Sequence, residues 1–246
     1  MRIRIRFSKL GKIRFTSHRD VARIWERALR KASLPVAYTE GFSPRPKLSF
    51  GLALSTGHES LGEYLDVDLR GDRGVDVEEL PTRLDPALPL GIDVQAAVPI
   101  APGTPSLQQA VVSCTWRIEV TGQSPAEIGD AVRRAIAADR LVVTRARKGN
   151  EVTDDLRPLI LSLALTGPTN NAVTEDGTEL VAELGTQPRG LRPSELLLAL
   201  GGGLEEARVC RIHQWLLLDG ARQEPIPWDG ELCGATSAPY AITRTS

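Results

Sequence analysis

The chain opens Arg2-Ile3-Arg4-Ile5-Arg6-Phe7-Ser8-Lys9-Leu10-Gly11-Lys12-Ile13-Arg14-Phe15. Ile3, Ile5 and Phe7 alternate strictly with Arg2, Arg4 and Arg6, the period-two pattern of a half-buried strand. A turn at 9–12 follows, and Ser17 with Asp20 three residues on forms a capping-box-like helix start. Val21, Ile24, Trp25, Ala28, Leu29 and Ala32 then recur at helical spacing and give that helix a core face. Arg19, Arg23, Arg27, Arg30 and Lys31 run along another side. Pro35 closes the helix, and 35–38 reads as a short strand. The turn-rich segment Gly41-Phe42-Ser43-Pro44-Arg45-Pro46-Lys47 carries two prolines that forbid a central strand.

Working outward, strands are expected at 48–54 and 63–69, a short helix at 75–84 and a strand at 91–98. Strand, helix, strand, strand, helix, strand is the ferredoxin-like order. Residues 99–105 are the linker candidate, and the order then repeats. It runs through a strand at 112–120, a helix at 125–138 capped by Ser124, strands at 141–147, 156–165 and 179–184, a helix at 193–200 and a strand at 207–218. The expected fold is α+β, two tandem ferredoxin-like halves with antiparallel sheets. The basic N-terminal half covers 1–105 and the C-terminal half 106–220. A tail at 221–246 is expected to be partly disordered, with Trp228 and Tyr240 as candidates for docking.

The first 50 residues hold 13 basic and 3 acidic side chains, a local charge of +10. The other 196 residues hold 17 basic and 28 acidic, a charge of −11, so a pI near 6.3 hides a dipolar molecule. Such asymmetry suits a basic surface for a polyanion. The alternative is intramolecular, with the acidic remainder neutralising the basic part. Three guanidiniums on one strand face suit phosphate oxygens. Because the outward positions of that strand are arginines and not aromatics, the expected footprint is phosphate contact that positions a nucleic acid without reading it. The candidate phosphate-binding residues are Arg2, Arg4, Arg6, Arg19, Arg23, Arg27, Arg30, Lys31, Arg45 and Lys47.

Cys114, Cys210 and Cys233 are odd in number and widely spaced, which argues against a disulfide framework and against a zinc or iron–sulfur site. No metal and no cofactor are expected in this chain. No apolar run approaches the ~18 residues of a membrane span, and the N-terminus lacks a secretory layout, so the expected location is cytoplasmic, without a membrane partner. His18 sits beside the helix cap with Asp20 near it. His58 lies in a turn, where Glu59, Glu63 or Asp66 could approach it. His213 lies in the last strand, where a core role is the simpler reading. Gly201-Gly202-Gly203 is no phosphate-binding P-loop, because the Lys-Ser/Thr ending is absent. No nucleophile–base pair rises above background, and no catalytic residue is assigned.

Several runs resemble the bacterial radical SAM-linked protein family, a domain of unknown function. They are Phe7-Ser8-Lys9, Phe15-Thr16-Ser17-His18-Arg19-Asp20 and Gly41-Phe42-Ser43-Pro44-Arg45-Pro46-Lys47. Ser60-Leu61-Gly62-Glu63-Tyr64-Leu65-Asp66 and Asp155-Leu156-Arg157-Pro158 resemble its later motifs, and Arg19 stands where a leucine is usual. The motif residues so marked are Ser17, His18, Asp20, Gly41, Phe42, Pro44, Pro46, Glu63, Tyr64, Asp66, Asp155 and Arg157. Members are fused to, or encoded beside, a radical SAM protein, often near ribonuclease and ribosomal-protein genes. The resemblance therefore implies an accessory role, with a radical SAM protein and an RNA (tRNA or rRNA) as partners. The sequence has no Cys-x-x-x-Cys-x-x-Cys motif, so S-adenosylmethionine and an iron–sulfur cluster are expected only in the partner enzyme. Two alternatives stay open. In a metal-independent endoribonuclease resembling the CRISPR RNA-processing enzymes, His18 or His58 would be the acid/base and Lys47 would stabilise the phosphorane. In a protein–protein adaptor, the basic patch would meet an acidic partner.

Overall fold

A computed structural model describes residues 1–71, 75–147, 149–167 and 178–227. The elements run β1 (Arg2–Lys9), α1 (His18–Lys31), β2 (Leu48–Phe50), β3 (Glu59–Asp68), α2 (Leu80–Leu84), β4 (Val94–Ile100), α3 (Leu107–Ala110), β5 (Val111–Thr121) and α4 (Pro125–Ala137). They continue with β6 (Val142–Arg147), β7 (Asn150–Asp155), β8 (Ile160–Gly167), β9 (Thr178–Gly185), α5 (Pro193–Leu200), β10 (Glu205–Leu218) and β11 (Ala221–Gln223). The fold is α+β, with mostly antiparallel sheet. Among the described residues no helix is long and apolar enough to cross a membrane.

The strand alternation at the N-terminus does what period two requires. Ile3, Ile5 and Phe7 pack under α1 and α2 with Trp25, Leu29, Leu65, Val67, Leu80 and Leu84, and the Phe7 and Trp25 rings meet edge to face at 4.9 Å. A second core joins α4 and α5 to β5, β8 and β9 through residues such as Trp116, Ile118, Ile128, Leu180 and Leu196. It reaches across to Tyr64, Leu107 and Ile226, so the side of β1 and β3 away from α1 is covered as well.

The principal sheet has nine strands, ordered β4-β1-β3-β10-β5-β9-β8, with β2 beside β3 and β11 beside β10. A short parallel junction, Cys210 opposite Glu59 and Arg211 opposite Ser60, joins β3 to β10. The seam is held by side chains. Arg211, 1 % exposed, donates to Glu63 at 2.6 and 2.8 Å and to the Leu52 carbonyl at 2.9 Å. Gln214 donates to the Gly62 carbonyl at 2.7 Å. A Cβ at Gly62 would stand 3.3 Å from the Arg6 guanidinium, close enough that Arg6 would have to give by a few tenths of an ångström.

Local departures have local causes. The expected strand at 141–147 is β6, which pairs only with β7 as a separate two-stranded hairpin. The expected helix at 75–84 contracts to α2, with Pro81 in its first turn and a 3₁₀ turn through Pro86. The strand expected at 48–54 stops at Phe50, because Leu52 and Ala53 turn their carbonyls to Arg211. At the start of the tail β11 pairs with β10, and Ile226 is 3 % exposed in the second core. Trp228, Tyr240 and Cys233 lie outside the described residues.

Removing one partner of a buried pair leaves the other charge uncompensated. Arg211→Met is therefore expected to lower unfolding free energy by about 3–5 kcal/mol in denaturant titration. Arg211→Met combined with Glu63→Met should recover most of that loss, and a double variant as unstable as the single one would contradict the pairing.

Candidate functional site

The predicted basic residues separate into a buried set and an exposed set. On β1, Arg4 is 3 % and Arg6 0 % exposed. Arg4 forms a two-pronged bond to Asp66 at 2.7 and 2.9 Å, and Arg2 reaches Asp66 at 3.3 Å and Asp68 at 3.6 Å. Arg6 donates to Gln95 at 2.8 Å, to the Tyr64 hydroxyl at 3.2 Å, to the Ile226 carbonyl at 3.2 Å and to the Glu224 carboxylate. Of the two placements open for the β1 arginines, the open sheet face or the space between the two parts of the chain, Arg4 and Arg6 are spent on partners inside the fold and do not suit phosphate contact, while Arg2 stays about one-third exposed beside Asp66 and Asp68. The physical reason is coverage of that side by Tyr64, Leu107 and Ile226. The motif residues Glu63, Tyr64 and Asp66 belong to this interior, where burial pushes the Tyr64 hydroxyl well above its ordinary range.

The other end of the seam is equally enclosed. Glu59, 1 % exposed, accepts from Arg208 at 2.6 Å, from the Gly11 N–H at 2.7 Å and from Arg14 at 3.3 Å. Burial pushes its carboxyl up, but the Arg208 and Gly11 bonds outweigh burial and hold it below the ordinary 4.5. Lys9, also buried, donates to the Arg14 and Thr16 carbonyls at 3.1 Å each and so fixes the turn leading into α1. Desolvation lowers its pKa. His58 is 9 % exposed, 3.2 Å from Glu206 and 6.1 Å from the Trp116 ring. His213 meets Glu224 at 2.9 Å. The expected partners of His58, namely Glu59, Glu63 and Asp66, bond to arginines instead. A buried His58 does not suit the acid/base role of the endoribonuclease alternative. Burial raises the Cys114 thiol to about 11 and the Cys210 thiol to about 12.

The exposed set lies on α1 and the segment beside it. The helix starts where Ser17 accepts the Asp20 N–H at 3.2 Å and donates to the Asp20 carboxylate at 2.7 Å. That hydroxyl, helped by Arg23 at 3.1 Å, holds the Asp20 carboxyl below its usual range. At 3.6 residues per turn Arg19, Arg23, Arg27 and Arg30 fall within roughly 80° of arc, opposite the buried Val21, Trp25 and Ala28. All four are exposed, as are Lys31, Arg45 and Lys47. Lys31 is spent on the Pro86 carbonyl at 3.0 Å. Among the described residues, Arg19, Arg27, Arg30, Arg45 and Lys47 make no ion pair.

Residues 37–50 run alongside α1. Pro46 bridges to Tyr38, and both face Glu26 and Arg30 across a narrow cleft. At the other end the His18 ring stands edge-on to Phe50 at 5.0 Å. Thr39 and Arg45 pin the neck of the intervening loop, Thr39 N–H to the Arg45 carbonyl at 2.9 Å and Arg45 N–H to the Thr39 hydroxyl at 3.0 Å. Gly41 at φ +126° makes the turn, and Phe42 at the tip is fully exposed. The structure therefore sets Pro46 across from Glu26 and Arg30 and His18 against Phe50, with Gly41, Phe42 and Pro44 exposed in the loop between Thr39 and Arg45. Sequence reasoning missed Arg70, whose guanidinium lies 5.3 Å over the Tyr38 ring, and the cleft lined by Glu26. Nothing in the spacing of Arg70 announces it, because the segment just after β3 carries it there, its N–H bonded to the Pro35 carbonyl at 2.7 Å.

Asp155 and Arg157 sit elsewhere. Asp155 accepts the Leu141 N–H at 2.9 Å, the Arg157 N–H at 3.1 Å and Arg140 at 3.2 Å, and the Leu141 bond leads in lowering its pKa. Arg157 donates to the carbonyls of Ile136, Ala138 and Ile160, tying off the end of α4. This pair is a clamp on the hairpin. Among the described residues no cluster of His, Cys, Asp and Glu is arranged to hold a metal ion.

The chain belongs to a bacterial family described as "Uncharacterized protein conserved in bacteria (DUF2344)", matched over residues 2–191. The match covers α1 and the loop beside it and stops short of α5, β10 and β11, which supply Arg208, Arg211 and His213 to the buried set. No curated protein matches the sequence.

The low Glu59 carboxyl has a signed consequence. A folded-state pKa below the ordinary 4.5 gives stability that is fully present above pH 4.5 and is lost as pH falls through the folded value. The stability gap between the wild type and Glu59→Gln should therefore shrink as pH drops from 6 toward 3. A gap that stays constant across that interval would contradict the assignment.

Proposed function

We propose that this protein is a cytoplasmic RNA-binding accessory that presents a tRNA or rRNA to a separate radical SAM enzyme for modification. The observation that carries the RNA reading is the face built by α1 and residues 38–47. Its arginines are exposed; Arg23 pairs with Asp20, whereas Arg19, Arg27, Arg30 and Arg45 have no carboxylate partner among the described residues, and the Phe42 ring is exposed in the loop. Like charges one turn apart cost a few tenths of a kcal/mol each on an isolated helix. A polyanion relieves that cost, and a free ring beside cations is the stacking arrangement of single-strand binders. The radical SAM partner is supported by the resemblance of Ser17-His18-Arg19-Asp20 and Gly41–Lys47 to that family's motifs. S-adenosylmethionine and the cluster are the partner's, since the cysteines at 114, 210 and 233 have no cluster spacing.

We also read the chain as two ferredoxin-like halves meeting near residue 105. β4-β1-β3 with β2 beside β3, and β10-β5-β9-β8, are the same strand order twice, each with its helices on one side. In this reading the second half is the frame and the first half presents the ligand.

Neutralised phosphates release counterions, so affinity for RNA should fall steeply with salt. Replacing Arg19, Arg27 and Arg30 together by Ser removes up to three phosphate contacts. The slope of log affinity against log salt should become shallower by roughly 2–3, with the circular dichroism spectrum unchanged. An unchanged slope, or no RNA binding by the wild type, would overturn the proposal.

A further inference from the structure

We infer that the cleft between α1 and residues 34–46 is a pocket for one unpaired guanine base, which rests on the RNA-binding reading above. The cleft measures about 90 Å³; a single water needs about 10–15 Å³ on this scale, so the space suits part of a flat ring system and is too small for a whole nucleotide. Its floor is apolar, made by Leu29, Leu34 and Val36, each 7 % exposed or less. Tyr38 and Pro46 form the wall facing α1. The Arg70 guanidinium lies over the Tyr38 ring at 5.3 Å, and the Tyr38 backbone bridges to Pro46.

The polar groups at the helix edge decide which base fits. Glu26 and Arg30 stand at the i and i+4 spacing that ordinarily yields a helix ion pair, yet they make none. A carboxylate offers two acceptors and no donor at neutral pH, and a guanidinium offers donors only. Guanine is the base whose Watson–Crick edge presents two adjacent donors, N1–H and the N2 amine, with O6 and N7 left as acceptors. Adenine, cytosine and uracil each present a single donor group on that edge. Among the described residues Glu26 is also the one carboxylate lining the cleft, and Arg27, Arg45, Lys47 and Arg70 lie next in sequence to, or in contact with, its lining residues. The cations hold a phosphate backbone and Glu26 selects the base, the division between positioning and specifying contacts seen in nucleic-acid recognition generally.

The test is fluorescence anisotropy with a labelled oligouridine of about eight nucleotides and the same strand carrying one central guanosine or one central adenosine. Guanosine should raise affinity on the order of tenfold over the other two. Glu26→Gln, which trades one acceptor for a donor, should abolish that preference while leaving oligouridine binding at least as strong as before. Tyr38→Leu should weaken the guanosine strand more than oligouridine. Salt-sensitive binding with equal affinity for the three strands, or a guanosine preference that survives Glu26→Gln, would overturn the pocket and leave the RNA reading standing. Absence of binding to every strand would remove both.

Discussion

Burial of guanidinium groups at the junction of β3 and β10 is the constraint on which the rest of the molecule depends. Arg6 and Arg211 are among its largest fully buried side chains, and an ion taken out of water is tolerated only with close, well-bonded counter-charges. Those counter-charges come from distant parts of the chain: Glu63 for Arg211 across 148 residues and Glu224 for Arg6 across 218. Tyr64, Gln95 and the Ile226 carbonyl complete the shell around Arg6. β3 and β10 are held in one sheet because the pairs can be satisfied only when β3, β10 and the segment after β11 are all in place.

This constraint divides the basic N-terminal segment in two. Its charge is disposed differently on its two elements. On β1 the arginines pair inside the chain with Asp66, Asp68 and Glu224. On α1 the core face takes Val21, Trp25, Ala28 and Leu29 and leaves the arginines in solvent. The same residue type therefore serves as internal cement on the strand and as an external cationic face on the helix. Lys9 links the two, reaching from the end of β1 to hold the turn that sets α1 in position.

What could be read in advance follows from the range of each interaction. The first strand, the Ser17 cap with Asp20, the core face of α1 and the Ser124 cap of α4 rest on contacts within a few residues, and local pattern suffices for those. The burial of Arg4 and Arg6 does not follow from pattern. Period two says which residues share a face, not whether a second layer covers it. The hairpin of β6 and β7 carried no signal separating it from a strand of the main sheet. The short β11 and the buried Glu224 and Ile226 lie in a Pro- and Gly-containing segment without periodicity, where docking depends on a pocket built elsewhere. Phe42 was visible as part of a turn-rich motif, but its exposure depends on the neck bonds between Thr39 and Arg45.

The central claim is that nucleic acid meets the protein on α1 and the loop beside it, and not on the arginine strand or the second half. Ultraviolet crosslinking of the native protein to cellular RNA, followed by mass spectrometry of the crosslinked peptides, tests it most directly. The account predicts nucleotide adducts on peptides from residues 19–47, with Phe42 and Tyr38 as the principal sites. Adducts confined to β5, β8 and β9, with none on those peptides, would contradict it.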